Sequence, residues 1–202
     1  NEGALYIADI KAHDVRRYPR GNTTGERVAG GNRGGNGLHQ LNEPTYITVD
    51  TDSTVYVSDS RNHRVMKWMK GAHEGIVVAG HGGYGNNPNQ LIMPMGLILD
   101  EKNDSIIICD SGNQRVMRWS LQNNTTKGTA IISNIRCRDL AMADDLAIYI
   151  VHEEHGVVSH YRKPYRYVEN IRCTVKLQFY ISSLASCQPT SIVVDNEGSI
   201  YI

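Results

Sequence analysis

Two stretches of the chain decide its fold: PTYITVDTDSTVYVSDSRNHRVMKW (44–68) and PMGLILDEKNDSIIICDSGNQRVMRW (94–119). They begin 50 residues apart and end 51 apart, with the extra residue in the turn after the first apolar run. Each contains three short runs rich in β-branched and aromatic residues and bounded by Asp, Asn and Ser, which is typical of β-strands. A fourth apolar run, GIVVAG (75–80), follows the first stretch. Four strands in roughly 40–50 residues predict one blade of a β-propeller.

The same unit recurs along the rest of the chain. LYIADIKAHDVRRY (5–18) matches the second unit, AIYIVHEEHGVVSHY (147–161) is a decayed fourth copy, and QPTSIVVDNEGSIYI (188–202) begins a fifth. One position is aromatic throughout, and we expect it to pack between blades; it is occupied by Tyr18, Trp68, Trp119 and Tyr161. The sequence therefore predicts a single all-β propeller domain over 1–202, with units at about 1–40, 41–90, 91–135 and 136–187 and a partial unit at 188–202.

This pattern resembles the NHL-repeat family of β-propellers. The resemblance is carried by equivalent positions in the second and third units: Pro44, Asp50, Asp59, Asn62, Arg64 and Val65, then Pro94, Asp100, Asp110, Asn113, Arg115 and Val116. The fourth unit departs from it, with His152 and His155 at the Asp110 and Asn113 positions. Similar propellers usually have five or six blades. Since NEGALYI opens the chain and NEGSIYI closes it at the same strand of a blade, we expect about four blades of a larger ring.

Composition limits the classes of partner. Lys plus Arg and Asp plus Glu each number 21, neither half of the chain is basic, and nucleic acid is therefore an unfavoured partner. No apolar run approaches the roughly 20 residues that span a bilayer, so no membrane partner is expected.

Asn-x-Ser/Thr matches at Asn22, Asn103, Asn123 and Asn124 are compatible with a secreted protein. The chain does not begin with Met, and an extracellular and a cytoplasmic location both stay open.

Two features that suggest chemistry have simpler structural explanations. Asp59 and Arg64, like Asp110 and Arg115, recur once per unit, which favours turn-stabilising ion pairs over catalytic groups. The glycine-rich stretches GGNRGGNG (30–37) and GHGGYGNN (80–87) are each followed by a strand, whereas a dinucleotide loop opens a helix. We interpret both stretches as flexible inter-blade loops, and we predict no cofactor.

Loops on a rigid scaffold commonly carry recognition. Because strand direction alternates through a blade, inter-blade loops and the turns between second and third strands should share one rim of the ring. We predict that this rim is the binding face. Its candidate residues are Arg33, His39, Arg61, His63, His81, Tyr84, Gln114, His152, Glu153, Glu154 and His155.

The run from His152 to His155 is the densest set of metal-ligand types, and we place all four residues in a turn of the fourth unit. It is not HExxH, and a solvated turn is favoured, which leaves His152 and His155 as weak candidate ligands of a metal. Cys109, Cys137, Cys173 and Cys187 have no CxxC spacing, so their redox state stays open. Cys137 and Cys187, 50 residues apart, are interpreted as small buried residues rather than a disulfide.

The resemblance and the neutral charge favour a non-catalytic scaffold that binds protein or peptide. Such propellers also form the substrate-recruiting end of larger chains, including ubiquitin ligases. One alternative is a metal-dependent propeller enzyme similar to the amidating lyase or the lactonases, although no matching set of His, Tyr, Arg and acidic residues can be assembled across the blades. A further alternative is single-stranded RNA binding, for which the only basic concentration is Arg16, Arg17, Arg20 and Arg33.

Overall fold

The repeats form separate antiparallel sheets. A computed structural model describes residues 3–122, 125–152, 157–162, 164–172, 191–194 and 199–201. Within these residues there are five sheets, three short 3-10 turns and no α-helix, so the all-β prediction is confirmed. No helix in the described part of the chain is long and apolar enough to cross a membrane.

The strands follow one another in each sheet in chain order. The first sheet contains β1 (Leu5–Asp9), β2 (Asp14–Tyr18) and β3 (Glu26–Gly30). The second contains β4 (Pro44–Val49), β5 (Val55–Asp59), β6 (Arg64–Trp68) and β7 (Ile76–Ala79). The third contains β8 (Pro94–Asp100), β9 (Ser105–Asp110), β10 (Arg115–Ser120) and β11 (Thr129–Ser133). The fourth contains β12 (Cys137–Met142), β13 (Ile148–His152), β14 (Val157–Arg162) and β15 (Arg166–Arg172). The fifth contains β16 (Val193–Val194) and β17 (Ile200–Tyr201).

The register of the strands places the repeated aromatic residue at the same point in four sheets. Trp68 pairs with Val55 and Trp119 with Ile106, and Tyr18 and Tyr161 take the same place opposite Leu5 and Ile148. Both tryptophans are buried. In the first sheet β1 therefore corresponds to β5, so the described sheet begins at the second strand of a blade. The outermost strands of the first three sheets, β3, β7 and β11, lead into the inter-blade loops.

Side chains from the two faces of one sheet enter different cores. Ile106 and Ile108 of β9 pack with residues of the second sheet, whereas Ile107 and Cys109 pack with residues of the fourth. This is the alternation expected of a strand buried on both faces, and it makes each core the contact between consecutive blades. A similar core joins the first two blades around Trp68.

Cys137 is in a disulfide, which corrects its interpretation as a free buried residue. Cys137 is buried, as predicted, but its sulfur is bonded to that of Cys109 in a disulfide, with Cα atoms 5.3 Å apart. The bond joins β9 to β12 and so links two neighbouring blades. The spacing of the cysteines in the sequence does not indicate this pair, because Cys109 and Cys137 belong to different units and to strands that are not equivalent in their blades. Cys173 and Cys187 lie outside the described residues.

Candidate functional site

The inter-blade loop over 31–43 is fixed by a buried ion pair. Arg64 Nε donates to Asp59 Oδ2 at 2.7 Å, and its two terminal nitrogens donate to the carbonyl oxygens of Asn36, Gly37 and Gln40 at 2.9, 2.9 and 3.2 Å. The Asp59 side chain is 0% exposed and also accepts hydrogen bonds from Asn42 N and Asn62 Nδ2. Burial raises the pKa of the Asp59 carboxyl, while these hydrogen bonds act in the opposite direction.

The loop over 80–93 is held in the same way one blade later. Arg115 Nε donates to Asp110 Oδ2 at 2.7 Å, and its terminal nitrogens donate to the carbonyls of Asn86, Asn87 and Gln90. The repeated Asp and Arg are therefore parts of the scaffold, and their hydrogen bonds set the course of both loops.

A histidine links each of the first two blades to the entry of the next. Met93 N donates to His63 Nδ1 at 3.1 Å, and Glu43 N donates to His13 Nδ1 at the same distance. An imidazole nitrogen that accepts a backbone N–H carries no proton, so the contact places the His63 proton on Nε2. Burial lowers the pKa of His63, and the charge of Arg61 acts in the same direction. The contact favours the neutral imidazole.

His63 also meets the most exposed aromatic side chain of the inter-blade loops. Its ring and that of Tyr84 are 5.1 Å apart at their centroids with an interplanar angle of 73°, an edge-to-face contact. Tyr84 is 67% exposed. The contact shows that the turn after β5 and the loop after β7 lie together, as strand alternation requires.

Most of the other predicted rim residues are exposed on the same loops and turns. These are Arg33, His39, Arg61, His81 and Gln114. Arg61 Nε donates to Glu43 Oε2 at 2.8 Å, joining the turn after β5 to the end of the preceding loop. Contact of these side chains with a partner stays a prediction.

The fourth blade departs from expectation at His152. This residue is the last of β13 rather than part of the turn, because it pairs with Cys137 as Asp110 pairs with Pro94. Its Nε2 is 2.6 Å from Ser159 Oγ. Glu153, Glu154 and His155 lie outside the described residues. Within those that are described, no group of three or more His, Cys, Asp or Glu side chains is placed to hold a metal ion.

The innermost strands bring together a group that the sequence analysis missed. Tyr46 of β4 and Arg138 of β12 share a side-chain hydrogen bond, and the adjacent Asp139 acts on Tyr46 through its charge. They meet across Gly96 of β8, where a Cβ atom would lie 2.6 Å from the Cα of Asp139. Burial, followed by the charge of Asp139, raises the pKa of Tyr46. The sequence feature that could have indicated this group is Gly96, a small residue on the innermost strand of one blade, where the neighbouring blades have large polar residues.

Within this group, the Asp139 carboxylate connects two segments of the chain by hydrogen bonds. Its oxygens accept hydrogen bonds from Leu140 N, Ser191 Oγ and Ile192 N, the last two from the segment that enters the fifth sheet. Burial raises the pKa of the Asp139 carboxyl above its ordinary value, although these hydrogen bonds act in the opposite direction. The carboxylate therefore joins two blades, which leaves it poorly placed to act as a catalytic base.

Comparison with solved structures identifies the architecture. A catalytically inactive variant of virginiamycin B lyase from Staphylococcus aureus, solved with quinupristin, superposes with a TM-score of 0.66 at 12% identity, covering 99% of this chain. The nidogen/laminin complex gives 0.69 at 13% identity over 97%. A gluconolactonase from Xanthomonas campestris gives 0.72 at 10% identity over 96%. These similarities show that the chain has a β-propeller fold.

The similarity is one of fold. The chain spans between 59% and 66% of the length of these three structures. No protein-family model matches the sequence, and no curated protein does. The structural relatives include a lyase, a lactonase and a complex of two proteins, and at these identities a shared fold does not assign an activity.

Proposed function

We propose that this chain is the recognition part of an NHL-type propeller and binds a protein or peptide through one rim. The rim comprises the inter-blade loops over 31–43 and 80–93 and the turns that follow β5 and β9. Support for the family comes from three of the NHL-like positions, which form one hydrogen-bonded group: Asn62 and Arg64 both donate to Asp59.

The observation that carries the proposal is the fixed position of exposed side chains on these loops. Arg64 and Arg115 each hold three loop carbonyls, so the loop backbones are set before any partner arrives. Tyr84 is held against His63 yet is largely open to solvent. A positioned aromatic side chain is the usual centre of a binding energy hot spot, and pre-ordered loops lower the entropic cost of association.

An enzymatic role has less support in the described residues. The inner group offers Tyr46 and Arg138, but its carboxylate is used to join blades. RNA binding needs a basic groove with several stacking aromatics, and among the described inter-blade loops Tyr84 is the only exposed Tyr, Trp or Phe.

Peptides selected from a random display library against the full-length protein test the proposal, with their affinity measured by calorimetry. Tyr84→Ala should weaken them at least tenfold, about 1.4 kcal/mol. Met69→Ala removes a side chain of similar exposure, 54%, at the end of β6 away from the turn that follows β5, and it should leave affinity unchanged. Peptides that lose affinity with Met69→Ala and keep it with Tyr84→Ala would refute the assignment of the rim.

A further inference from the structure

The two Asn-x-Ser/Thr sequences within the described residues fall in turns of the rim opposite the turns that follow β5 and β9. Asn22 lies between β2 and β3, and Asn103 between β8 and β9. Asn123 and Asn124, which are outside the described residues, fall between β10 and β11 in the sequence. Strand direction alternates, so the turns that contain Asn22 and Asn103 share one rim, and the inter-blade loops over 31–43 and 80–93 contain none of the four sequences.

Asn22 is open to modification. It is exposed, as are Thr23 and Thr24, and Thr24 N donates to Asn22 Oδ1 at 2.8 Å in a local turn. Asn22 N donates to Pro19 O at 2.9 Å, which fixes the backbone. These contacts use its backbone N–H and side-chain oxygen, and no contact among the described residues uses its amide nitrogen.

Asn103 has the opposite environment. Its amide nitrogen lies 2.8 Å from both oxygens of the Asp100 carboxylate, and that carboxylate also binds Arg118 at 2.6 Å. Ser105, which completes this sequence, is buried. Attachment of a sugar at Asn103 would replace a donor hydrogen on which this buried network depends.

The disulfide supplies an independent indication of the compartment. Cys109 and Cys137 are both fully buried, and their Cα separation lies within the range that a disulfide spans. Such bonds form and persist in oxidising compartments and are rare in the reducing cytosol. The acceptor sequence at Asn22 is meaningful in that same setting, because Asn-linked glycans mark surface loops of secreted proteins.

We propose that this chain matures in an oxidising secretory compartment and carries an Asn-linked glycan on Asn22. In the modification, the bond between the reducing-end C1 of a lipid-pyrophosphate-linked oligosaccharide and its phosphate oxygen breaks. A bond forms from C1 to Asn22 Nδ2, which loses one proton, and the lipid pyrophosphate leaves. The two cysteine thiols lose two protons and two electrons to a disulfide-bearing oxidoreductase, which is reduced to its dithiol.

This location has two consequences for function. The glycan lies on the rim away from Tyr84 and the inter-blade loops, so it leaves the proposed binding face open. It also argues against a recruiting role in a cytosolic ubiquitin ligase, because that setting is reducing.

The test uses the full-length protein isolated from the cells that make it. Treatment with peptide N-glycosidase in ¹⁸O-labelled water should convert Asn22 to labelled Asp, seen by mass spectrometry, while Asn103 stays unlabelled. When variants are expressed in the same cells, Thr24→Ala should abolish the label at Asn22, and Thr23→Ala, which leaves an Asn-x-Thr sequence, should retain it.

Alkylation of the denatured, unreduced protein provides the second measurement. Cys109 and Cys137 should resist alkylation and yield one cross-linked peptide pair, which separates after reduction. An unlabelled Asn22 in the native chain, or free thiols at both cysteines, overturns the proposal. Labelling of Asn103 without Asn22 does so as well.

Discussion

Replacing Arg64 with Met should cost this protein much of its stability. The Arg64 side chain is 10% exposed and its partner Asp59 0%, so the variant leaves a buried carboxylate without its cation. Loss of one partner from a buried ion pair typically costs about 3–5 kcal/mol. Three carbonyls of the loop over 31–43 also lose their donor. In urea melts we expect a large fall in the midpoint at an unchanged slope.

The neighbouring Arg61 provides a matched control, because the same substitution there removes an exposed ion pair. Arg61 and Glu43 are 2.8 Å apart, but their side chains are 54% and 42% exposed. Exposed pairs contribute little, so Arg61→Met should leave the urea midpoint unchanged. If Arg64→Met shifts stability no more than Arg61→Met does, the Asp–Arg pair is not a scaffold element, and a direct functional role for it must be reconsidered.

Three other perturbations test the packing and the histidine contact. Trp68→Ala should destabilise by about 3–5 kcal/mol in denaturant melts, as expected of a fully buried Trp, whereas a change within about half a kcal/mol would indicate an exposed ring. Gly75→Ala would place a Cβ 2.8 Å from the Trp68 ring, and we expect an overpacking loss of about 1–3 kcal/mol; a neutral result would mean that the ring can move. Because the pKa of His63 is lowered in the folded state, stability should be full above the unfolded pKa near 6.5 and fall as pH decreases toward the folded value. His63→Gln, which introduces the residue that blade three has at Gln114, should remove that part of the pH dependence, and an identical pH profile would contradict the assignment.

The strands of the blades could be predicted from the sequence because their pattern repeats over short stretches of the chain. Each unit is defined by short apolar runs and turn residues whose spacing survives in one dimension, so the aromatic position at Trp68 and Trp119 could be predicted to the residue. The disulfide between Cys109 and Cys137 could not be predicted, because it depends on which face of β9 meets β12. A one-residue shift of register would have turned Cys109 toward the other blade.

The candidate site was harder to predict for the same physical reason. Tyr46, Arg138 and Asp139 are brought together by the order of three blades and by the absence of a side chain at Gly96. No local pattern records this proximity. Overlay of the fourth unit on the third predicts that His152 lies in the turn, but β13 extends through His152 because this residue pairs with Cys137.

The glycines of the inter-blade loops surround a glutamine side chain that links residues within each loop. Gln90 Nε2 donates to the carbonyls of Gly82 and Tyr84, and Gln40 Nε2 donates to that of Asn32. A Cβ atom at Gly82 would lie 2.8 Å from Gln90 Cγ, so a larger residue would displace the glutamine. Glycine at this position therefore allows close packing, and the packed loop includes Tyr84, whose carbonyl oxygen accepts from Gln90 and whose ring contacts His63. A rim built on such loops should select a partner by the match of preformed surfaces, since little ordering entropy remains to be lost on binding.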